Sequence, residues 1–464
     1  MDQEQAEAFI RGIRKYGMVY GLESIRSLMA RLGNVQDQLR ILHVAGTNGK
    51  GSVCAMLAGI LQAAGYRTGV YSSPAVFKPE EIIKVDGKCI SREAFAELAG
   101  KVQAVCTDLV NKGLRHPTAF EAETAIAFCY FKQEACEYVV LEAGLGGAED
   151  ATNLIMHPLC SILTSISMDH MGILGHTLEE IAAAKAGIMK PGCPCVSSVQ
   201  KPEVVRVLQR AAAKQGSELR IADTSCIRSF SYHDEKSCFE VSDMFFGLQT
   251  GAFCQAETCQ EQQGMAAQAE GDLKKVLKGT LGLTGACQKE NLACVLEVVK
   301  LLREKGVRIT QEALLTGLAD VRLPGRFEKI SREPDFYIDG AHNEGAALCL
   351  RETVRDCLSG TGRRIVYIIG VFADKEYEKL LRIMLPDAVQ VFTVTPDHPR
   401  ALSGETLARL AGTMHPAVSY VPDLAQAAVL AAEAAGAGGA VVAFGSFSYL
   451  KALKAAVKNR SRQS

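Results

Sequence analysis

A glycine-rich segment between a strand-like run and a helix-like run constrains the fold of this chain more than any other feature. Residues 43–52 read His-Val-Ala-Gly-Thr-Asn-Gly-Lys-Gly-Ser. Glycines let the backbone curl so that its N–H groups face a phosphate. Lys50 would neutralise the charge of the phosphate, and a nearby hydroxyl would bind Mg²⁺. The segment is shorter than the common G-x-x-x-x-G-K-[ST] loop, and Gly51 separates Lys50 from Ser52. The alternative is a glycine-rich strand-to-helix turn that binds no ligand, but the strand, the lysine and the helix together predict a phosphate-binding loop.

The overall composition argues against several classes of protein. The 464 residues are 48% hydrophobic and 22% charged, and 51 Lys and Arg against 52 Asp and Glu leave a formal net charge of −1. This balance gives no electrostatic reason to expect a nucleic-acid or membrane-surface partner. The acidic N-terminus does not resemble a signal peptide, and no stretch reaches the roughly 18 apolar residues of a membrane span. We therefore expect a cytoplasmic protein that binds no nucleic acid or membrane and acts as a monomer.

The 16 cysteines could indicate zinc or disulfides, so their spacing matters. The chain has no C-x-x-C pair, and its most closely spaced cysteines are Cys193 and Cys195, on either side of Pro194. Most of the others lie inside apolar runs. This pattern predicts reduced core residues of a cytosolic protein.

The order of apolar runs predicts an α/β protein with two domains. Strand-like runs alternate with helical patterns in the first third, which indicates a parallel sheet. Residues 230–282 alternate aromatic and polar residues, which predicts hairpins, and residues 254–270 are rich in Gln, Glu and Ala, which predicts a flexible insertion. A second set of strands and helices follows. We predict a P-loop-type ATPase domain with a mostly parallel sheet in residues 1–322 and a smaller Rossmann-like α/β domain in residues 323–464.

An ordered series of motifs resembles one known superfamily. The loop GTNGKGS at residues 46–52 resembles that of the Mur ligases, and more narrowly that of the folylpolyglutamate and dihydrofolate synthase branch. The other segments that carry the resemblance are residues 20–23 (YGLE), 32–34 (LGN), 120–121 (FE), 141–147 (LEAGLGG), 150–153 (DATN), 164–170 (TSISMDH), 185–188 (KAGI), 324–327 (PGRF), 339–343 (DGAHN), 374–375 (DK) and 445–447 (GSF). The series spans most of the chain in order, which chance does not explain.

The resemblance implies two Mg²⁺ ions and residues to hold them. Ser73, Glu142 and His170 are the implied ligands. Glu142 also closes an apolar strand, where a carboxylate reaches the cleft above the sheet and suits a hard cation. His170 could otherwise form a capping pair with Asp169. The resemblance further implies that Lys185 is carbamylated and holds the second ion; the alternative is a solvated surface lysine.

The resemblance also implies contacts to ATP and folate. The implied ATP-binding residues are Gly46, Thr47, Asn48, Gly49, Lys50, Gly51, Ser52, Asn291, Arg326 and Asp339. Arginine suits phosphate because its planar fork donates two parallel hydrogen bonds. The implied folate contacts are Phe120, Glu121 and Asp150. His342 would line the cleft and complete a catalytic set with Lys50, Glu142, His170 and Lys185. The alternative is that His342 is a structural histidine whose hydrogen bonds are made within the protein. Lys375 is a further candidate.

The implied reaction is ATP-dependent amide ligation. A folate carboxylate would attack the γ-phosphorus of ATP, and the amine of L-glutamate would displace phosphate from the acyl phosphate. The partners are then ATP, L-glutamate and a reduced folate or dihydropteroate. Three departures lie on the folate and glutamate side: Ala75-Val76 replaces His-Leu, Glu81 replaces Arg, and Ala148 replaces Arg. Another Mur-type amino-acid ligase and a non-catalytic nucleotide-binding protein remain alternatives, and dihydrofolate synthase activity stays open.

Overall fold

The computed structural model describes residues 1–17, 21–233, 235–242, 276–358 and 362–460 of the chain. The predicted insertion at residues 254–270 and Tyr20 of the motif at 20–23 lie outside the described residues. None of the helices in these ranges is both long and apolar enough to cross a membrane. The cysteines within these ranges are free thiols.

An eight-stranded sheet organises the N-terminal part of the protein. Its order is β4-β3-β2-β5-β1-β6-β7-β8, and the six strands from β2 to β8 in that order run parallel, as predicted. The strands are β1 (Ile41–Ala45), β2 (Thr68–Tyr71), β3 (Ile83–Val85), β4 (Lys88–Cys89), β5 (Tyr138–Glu142), β6 (Cys160–Leu163), β7 (Cys195–Ser197) and β8 (Leu219–Ile221). The central strands are buried on both faces, which explains their nearly continuous apolar sequences.

Ten α-helices and a small second sheet lie in the described residues of this N-terminal unit, which we define as residues 1–319. The helices are α1 (Gln3–Ile13), α2 (Glu23–Arg31), α3 (Lys50–Ala63), α4 (Arg92–Asn111), α5 (Ala119–Gln133), α6 (Met171–Leu174), α7 (Leu178–Ala186), α8 (Pro202–Gln215), α9 (Cys287–Glu304) and α10 (Gln311–Ala319). Antiparallel strands β9 (Ile227–His233), β10 (Lys236–Ser242) and β11 (Val276–Leu281) form the second sheet, which confirms the predicted hairpin character. Thr118 and Thr177 start α5 and α7 with capping boxes.

A six-stranded sheet organises the C-terminal unit, which we define as residues 323–460. Its order is β12-β13-β17-β14-β15-β16, parallel except for β12. The strands are β12 (Glu328–Arg332), β13 (Asp335–Ile338), β14 (Ile365–Ile369), β15 (Gln390–Thr393), β16 (Val418–Tyr420) and β17 (Ala440–Phe444). The helices are α11 (Glu344–Cys357), α12 (Tyr377–Met384), α13 (Gly404–Gly412), α14 (Leu424–Ala435) and α15 (Phe447–Arg460). The predicted α/β class is confirmed, whereas the predicted domain boundary at residue 322 stays a prediction.

The carboxyl ends of the parallel strands decide where a site can form. The loops after β1, β2, β5 and β6 all leave the same edge of the large sheet, because these neighbouring strands run in one direction. Ligands of open α/β sheets bind at this edge. The loops that carry most of the motifs therefore converge there.

Candidate functional site

The loop after β1 has a shape that only glycine permits at two positions. Gly46 and Gly49 have φ angles of +153° and +88°. A Cβ on Gly46 would lie 1.9 Å from Thr164 Oγ1, and one on Gly49 would lie 2.3 Å from Asn291 Oδ1. The backbone N–H groups of Thr47 and Asn48 donate to the carbonyl oxygen of Ser165 at 2.8 and 3.2 Å, which ties this loop to the loop after β6.

Two lysines converge on one carbonyl oxygen of this loop. Lys50 Nζ donates to Gly46 O at 3.2 Å and to Thr47 O at 3.2 Å, and Lys185 Nζ donates to Gly46 O at 2.8 Å. Lys185 lies in the last turn of α7 and its side chain is buried, so the alternative of a solvated surface lysine is wrong. Burial, together with repulsion from Lys50, lowers the pKa of Lys185 to about 7. The two side chains concentrate basic groups where a phosphate is expected.

The start of α3 offers further groups to an anion. The backbone N–H groups of Lys50, Gly51 and Ser52 have no hydrogen-bond partner within the described part of the chain. Such unpaired N–H groups, with the helix dipole, favour negative charge. Ser52 Oγ lies 3.4 Å from Gln288 Nε2, and Gln288 Oε1 accepts a hydrogen bond from Asn291 Nδ2 at 3.0 Å. Helix α9 thus supports the loop from one side.

Glu142 ends β5 beside this helix N-terminus. A Cβ on Gly51 would lie 3.8 Å from Glu142 Oε2. The side chain is buried, which raises the pKa of Glu142 to about 7 despite the nearby Lys50 and Arg326 and a hydrogen bond from the backbone of Ser73. The structure thus places the backbone of Ser73 beside the Glu142 carboxylate.

Asp169 gathers side chains from both units. Lys375 Nζ donates to Asp169 Oδ1 at 2.8 Å, and Asn343 Nδ2 donates to Asp169 Oδ2 at 3.0 Å. Nε2 of His170 and Nε2 of His342 each lie 3.8 Å from Asp169 Oδ2. Burial alone would raise the pKa of Asp169, but Lys375 and the two histidines hold it below its ordinary value. The carboxylate is therefore an anion that joins the two units.

The two histidines of this group differ in their surroundings. His170 begins the short helix α6 with a left-handed φ of +52°, and 36% of its side chain is exposed. His342 Nδ1 lies 2.8 Å from the carbonyl oxygen of Gly340, so this nitrogen carries a proton. Burial lowers the pKa of each histidine to about 4, with repulsion from Lys375 as a further cause in each. Both are therefore neutral near pH 7, and His342 is partly fixed by a structural contact.

Arg326 and Asp339 lie together at the start of the C-terminal unit. The Arg326 guanidinium lies 4.8 Å from the centre of the Phe447 ring. Asp339 accepts backbone hydrogen bonds at 2.8 Å from Phe327 and from Ala341, so both its oxygens already serve the loop. A cavity of about 200 Å³ that Arg326 helps to line is smaller than the usual 300–1,000 Å³ of a ligand pocket. Contacts from these two residues to ATP stay a prediction.

The three implied folate residues have different neighbours. The ring of Phe120 lies 6.0 Å from that of Tyr71, and a Cβ on Gly144 would lie 2.6 Å from Phe120 Cζ. Glu121 accepts hydrogen bonds from Thr118 in the capping box of α5. Asp150 accepts from the backbone N–H of residue 145 and from residue 152. Phe120 therefore faces the loop after β5, whereas both carboxylates already have partners, and folate contacts for all three stay a prediction.

Sequence reasoning assigned no catalytic or binding role to two residues that the structure makes central. Asp169 and Asn343 each stand inside a quoted motif, but next to a histidine that drew attention first. The Asn48 and Asn343 side chains hydrogen-bond each other at 3.1 Å across the two units. The only sequence signal for a functional role was that an acidic residue and an amide residue occur within these motifs. Their partners, however, are more than 150 residues away along the chain.

The residues expected to bind magnesium offer a partial donor set. Glu142 and Ser73 bring oxygen donors of the kind that Mg²⁺ prefers, and a divalent cation would offset the burial of the Glu142 carboxylate. Among the described residues, no three His, Cys, Asp or Glu side chains form a metal-binding group. A metal ion here would therefore need the serine hydroxyl, phosphate oxygens or a modified lysine in addition. With those donors, the residues present fit Mg²⁺.

Two family models match the chain. Residues 44–219 match the Mur ligase middle domain, and residues 325–447 match the Mur ligase glutamate ligase domain. The two matches cover the loops at the carboxyl edge of the large sheet and all six strands of the C-terminal sheet.

Curated proteins resemble nearly the whole chain. A dihydrofolate synthase/folylpolyglutamate synthase of Bacillus subtilis is 33% identical over 86% of each chain. A folylpolyglutamate synthase of Lacticaseibacillus casei is 31% identical over 87% of each chain. A dihydrofolate synthetase of Saccharomyces cerevisiae is 32% identical over 80% of each chain.

Solved structures show the same fold. A Mycobacterium tuberculosis folylpolyglutamate synthase complexed with ADP and AMPPCP has a TM-score of 0.81 and 26% identity, over 99% of each chain. Escherichia coli FolC in complex with DHPP and ADP has a TM-score of 0.79 and 28% identity, over 100% of this chain and 99% of that one. The architecture of both units is therefore found in nucleotide-bound relatives.

Proposed function

Because the chain belongs to the folylpolyglutamate and dihydrofolate synthase family of Mur-type ligases, we propose that it joins L-glutamate to the terminal carboxylate of a reduced folate, using ATP. The observation that carries the proposal is the position of Lys50, which donates to the carbonyl oxygens of Gly46 and Thr47, beside the N–H groups at the start of α3 that have no partner among the described residues. That arrangement suits a triphosphate, whose negative charge it neutralises.

In phosphoryl transfer and amide formation, the protein mainly positions the substrates and neutralises their charge. Lys50 would neutralise charge on the β- and γ-phosphates of ATP. The side chain of Arg326 would approach the phosphates from the C-terminal unit. Docking of that unit over the large sheet edge would exclude water from the acyl phosphate, which water would otherwise hydrolyse.

Magnesium would be held by Glu142, Ser73 and His170, with a second ion at a carbamylated Lys185. Bound there, Mg²⁺ supplies charge neutralisation for the phosphates. Carbamylation requires a neutral amine, and the buried Lys185 amine has a pKa lowered to about 7. The Lys185 amine donates its hydrogen bond to the carbonyl oxygen of Gly46 rather than to a carboxylate. This environment supports a modified lysine more than a permanently charged one.

A second activity, with a different acceptor, has specific support. The relatives of B. subtilis and E. coli are both named dihydrofolate synthase/folylpolyglutamate synthase. We therefore propose dihydropteroate as a second acceptor. Phe120 is partly exposed and lies against the loop after β5, and its aromatic ring suits contact with a planar ring. Monomeric state and cytoplasmic location are further proposals; the free thiols of the described cysteines support the second, and gel filtration tests the first.

An ADP-release assay with Mg-ATP and L-glutamate tests the function. Tetrahydrofolate, dihydropteroate and no acceptor would be compared, and the product would be identified by mass. We expect release with tetrahydrofolate that depends on glutamate, and a loss of about 100-fold or more in Lys50→Met, because one preorganised charge contact contributes on this order. ATP binding without turnover of either acceptor would reject the folate assignment.

A further inference from the structure

We infer that Asn343 is a positioning residue that couples docking of the C-terminal unit to the shape of the phosphate-binding loop. The inference rests on the proposed nucleotide site and extends it to a residue outside the predicted set. Its basis is a reciprocal pair of hydrogen bonds between two side-chain amides. Asn48 Nδ2 donates to Asn343 Oδ1, and Asn343 Nδ2 donates to Asn48 Oδ1, both at 3.1 Å.

The orientation of the Asn343 amide follows from its two other partners. Its Oδ1 accepts from the backbone N–H of Ala346 at 2.9 Å, which requires an oxygen at that position. Its Nδ2 donates to Asp169 Oδ2 at 3.0 Å, which requires a donor at the other position. All the hydrogen-bonding capacity of this amide group is therefore used, and a flipped amide would oppose like groups at both ends.

The contact is buried and tightly packed. Asn343 is 2% exposed, so the loss of its partners would leave polar groups without water. A Cβ on Gly345 would lie 3.0 Å from Asn48 Nδ2 and 3.0 Å from Ser167 Oγ. The first turn of α11 therefore lies directly on the loop.

Asn48 transmits this contact to the phosphate-binding residues. It stands two residues before Lys50, and its backbone N–H is held by Ser165. When the C-terminal unit is undocked, the Asn48 amide keeps its bond to Ser167 Oγ at 3.3 Å but loses both bonds to Asn343, so the loop is no longer held from the C-terminal side. Docking thus stabilises the loop shape that binds phosphate. By reciprocity, bound ATP then favours docking by the same factor.

A double-mutant cycle with Asn343→Ser and Asn48→Ala tests the inference. Serine is also a good helix N-cap, so Asn343→Ser keeps the start of α11 but is too short to reach Asn48. Equilibrium binding of a non-hydrolysable ATP analogue with Mg²⁺ is measured without acceptor or glutamate. Thermal unfolding checks that each variant is folded. Asn111→Ser, at the exposed end of α4, is the matched control and should bind as the wild type does.

We expect each single variant to weaken nucleotide binding by about tenfold, since each loses the same two hydrogen bonds. The double variant should bind no more than about twofold more weakly than the weaker single variant, because the pair can be lost only once. Two effects that multiply would overturn the inference, and so would wild-type affinity in Asn343→Ser, which is the result expected if the side chain only caps α11.

This outcome is distinguishable from failure of the proposed function. Non-additive nucleotide binding without turnover of any folate acceptor would reject the folate assignment and support the role of Asn343. A wild-type protein that fails to bind the ATP analogue would overturn both.

Discussion

Lys375 Nζ lies 2.8 Å from Asp169 Oδ1, and this ion pair joins the loop after β14 to the loop after β6. Both side chains are about nine-tenths buried, with 11% and 9% exposed. A buried charge that loses its partner is costly, whereas an exposed pair contributes little. The pair is therefore the electrostatic counterpart of the Asn48–Asn343 contact.

Lys375→Met should lower the free energy of unfolding by about 3 kcal/mol, because Asp169 would stay buried without its strongest partner. Lys379→Met is the matched control. Lys379 pairs with Glu376 and Glu344 on the surface, where 47% of its side chain is exposed, so the loss should be below about 1 kcal/mol. Urea unfolding measures both, and equal losses would show that the Asp169 pair is not specially important.

Gly49→Ala should impair nucleotide binding far more than Gly65→Ala does. The two glycines have nearly the same φ, +88° and +86°, so the backbone strain of an alanine, about 1–2 kcal/mol, is shared. Only at Gly49 would the new Cβ meet another atom, Asn291 Oδ1 at 2.3 Å; no atom lies within 4 Å of a Cβ at Gly65. ATP affinity and thermal stability of both variants would be compared. Matching affinities would contradict a steric role for Gly49.

His43→Leu should make stability less sensitive to acid. Burial, with Lys190 nearby, lowers the pKa of His43 from 6.5 to about 3. Below about pH 6.5, His43 takes up a proton in the unfolded chain but stays neutral in the folded protein. The free energy of unfolding therefore falls progressively from pH 6.5 down to pH 3 because of this residue. Relative to His43→Leu, the wild type should lose about 2 kcal/mol between pH 7 and pH 5.

The contacts of His43 explain why it stays neutral. Thr152 Oγ1 donates to Asp150, so it accepts from His43 Nε2 at 2.8 Å, and Nδ1 is a buried atom without a partner in the described residues. Unfolding free energies of both proteins from pH 5 to pH 8 check the prediction. A difference that does not change with pH would show that His43 does not titrate as described.

Lys185→Ala should reduce the ligase rate by about 100-fold or more, since it removes both the lysine and any carbamate. Short carboxylic acids in the medium should restore part of this rate, because they can replace the oxygen donors of a carbamate. Lys50→Met is the control, and carboxylic acids should not restore it, because its missing group is a cation. Rescue of both variants, or of neither, would argue against carbamylation of Lys185.

Local structure could be predicted well where it depends on neighbouring residues. Apolar runs in residues 365–369 and 440–444 predict two strands, and β14 and β17 begin and end at those residues. Helical spacing predicts a helix over residues 51–64, and α3 begins one residue earlier, at Lys50. The run over residues 159–165 predicts a longer strand than β6, which ends at Leu163 because Thr164 and Ser165 contact the loop after β1 instead. Tertiary contacts thus shortened a run that was apolar enough to continue.

The candidate site was predictable as a set of residues but not as an arrangement. The motif order identified Lys50, Glu142 and His170, and sequence reasoning offered both a surface and a functional state for Lys185. Residue identity does not reveal burial, because burial depends on what packs against a side chain. Asp150 and Glu121 show the same limit: as carboxylates in motifs they suggested a ligand, yet each has partners within a few residues.

The sequence by itself determined the phosphate-binding loop, the α/β class and the family, because glycine conformations, strand and helix periods and motif order are properties of short segments. Only the tertiary structure decided that Lys50 and Lys185 share the carbonyl of Gly46, and that Asn48 pairs with Asn343. Those contacts join residues 139 and 295 positions apart. Their geometry depends on the packing of α7 against the large sheet and on the docking of the C-terminal unit, which no local pattern specifies.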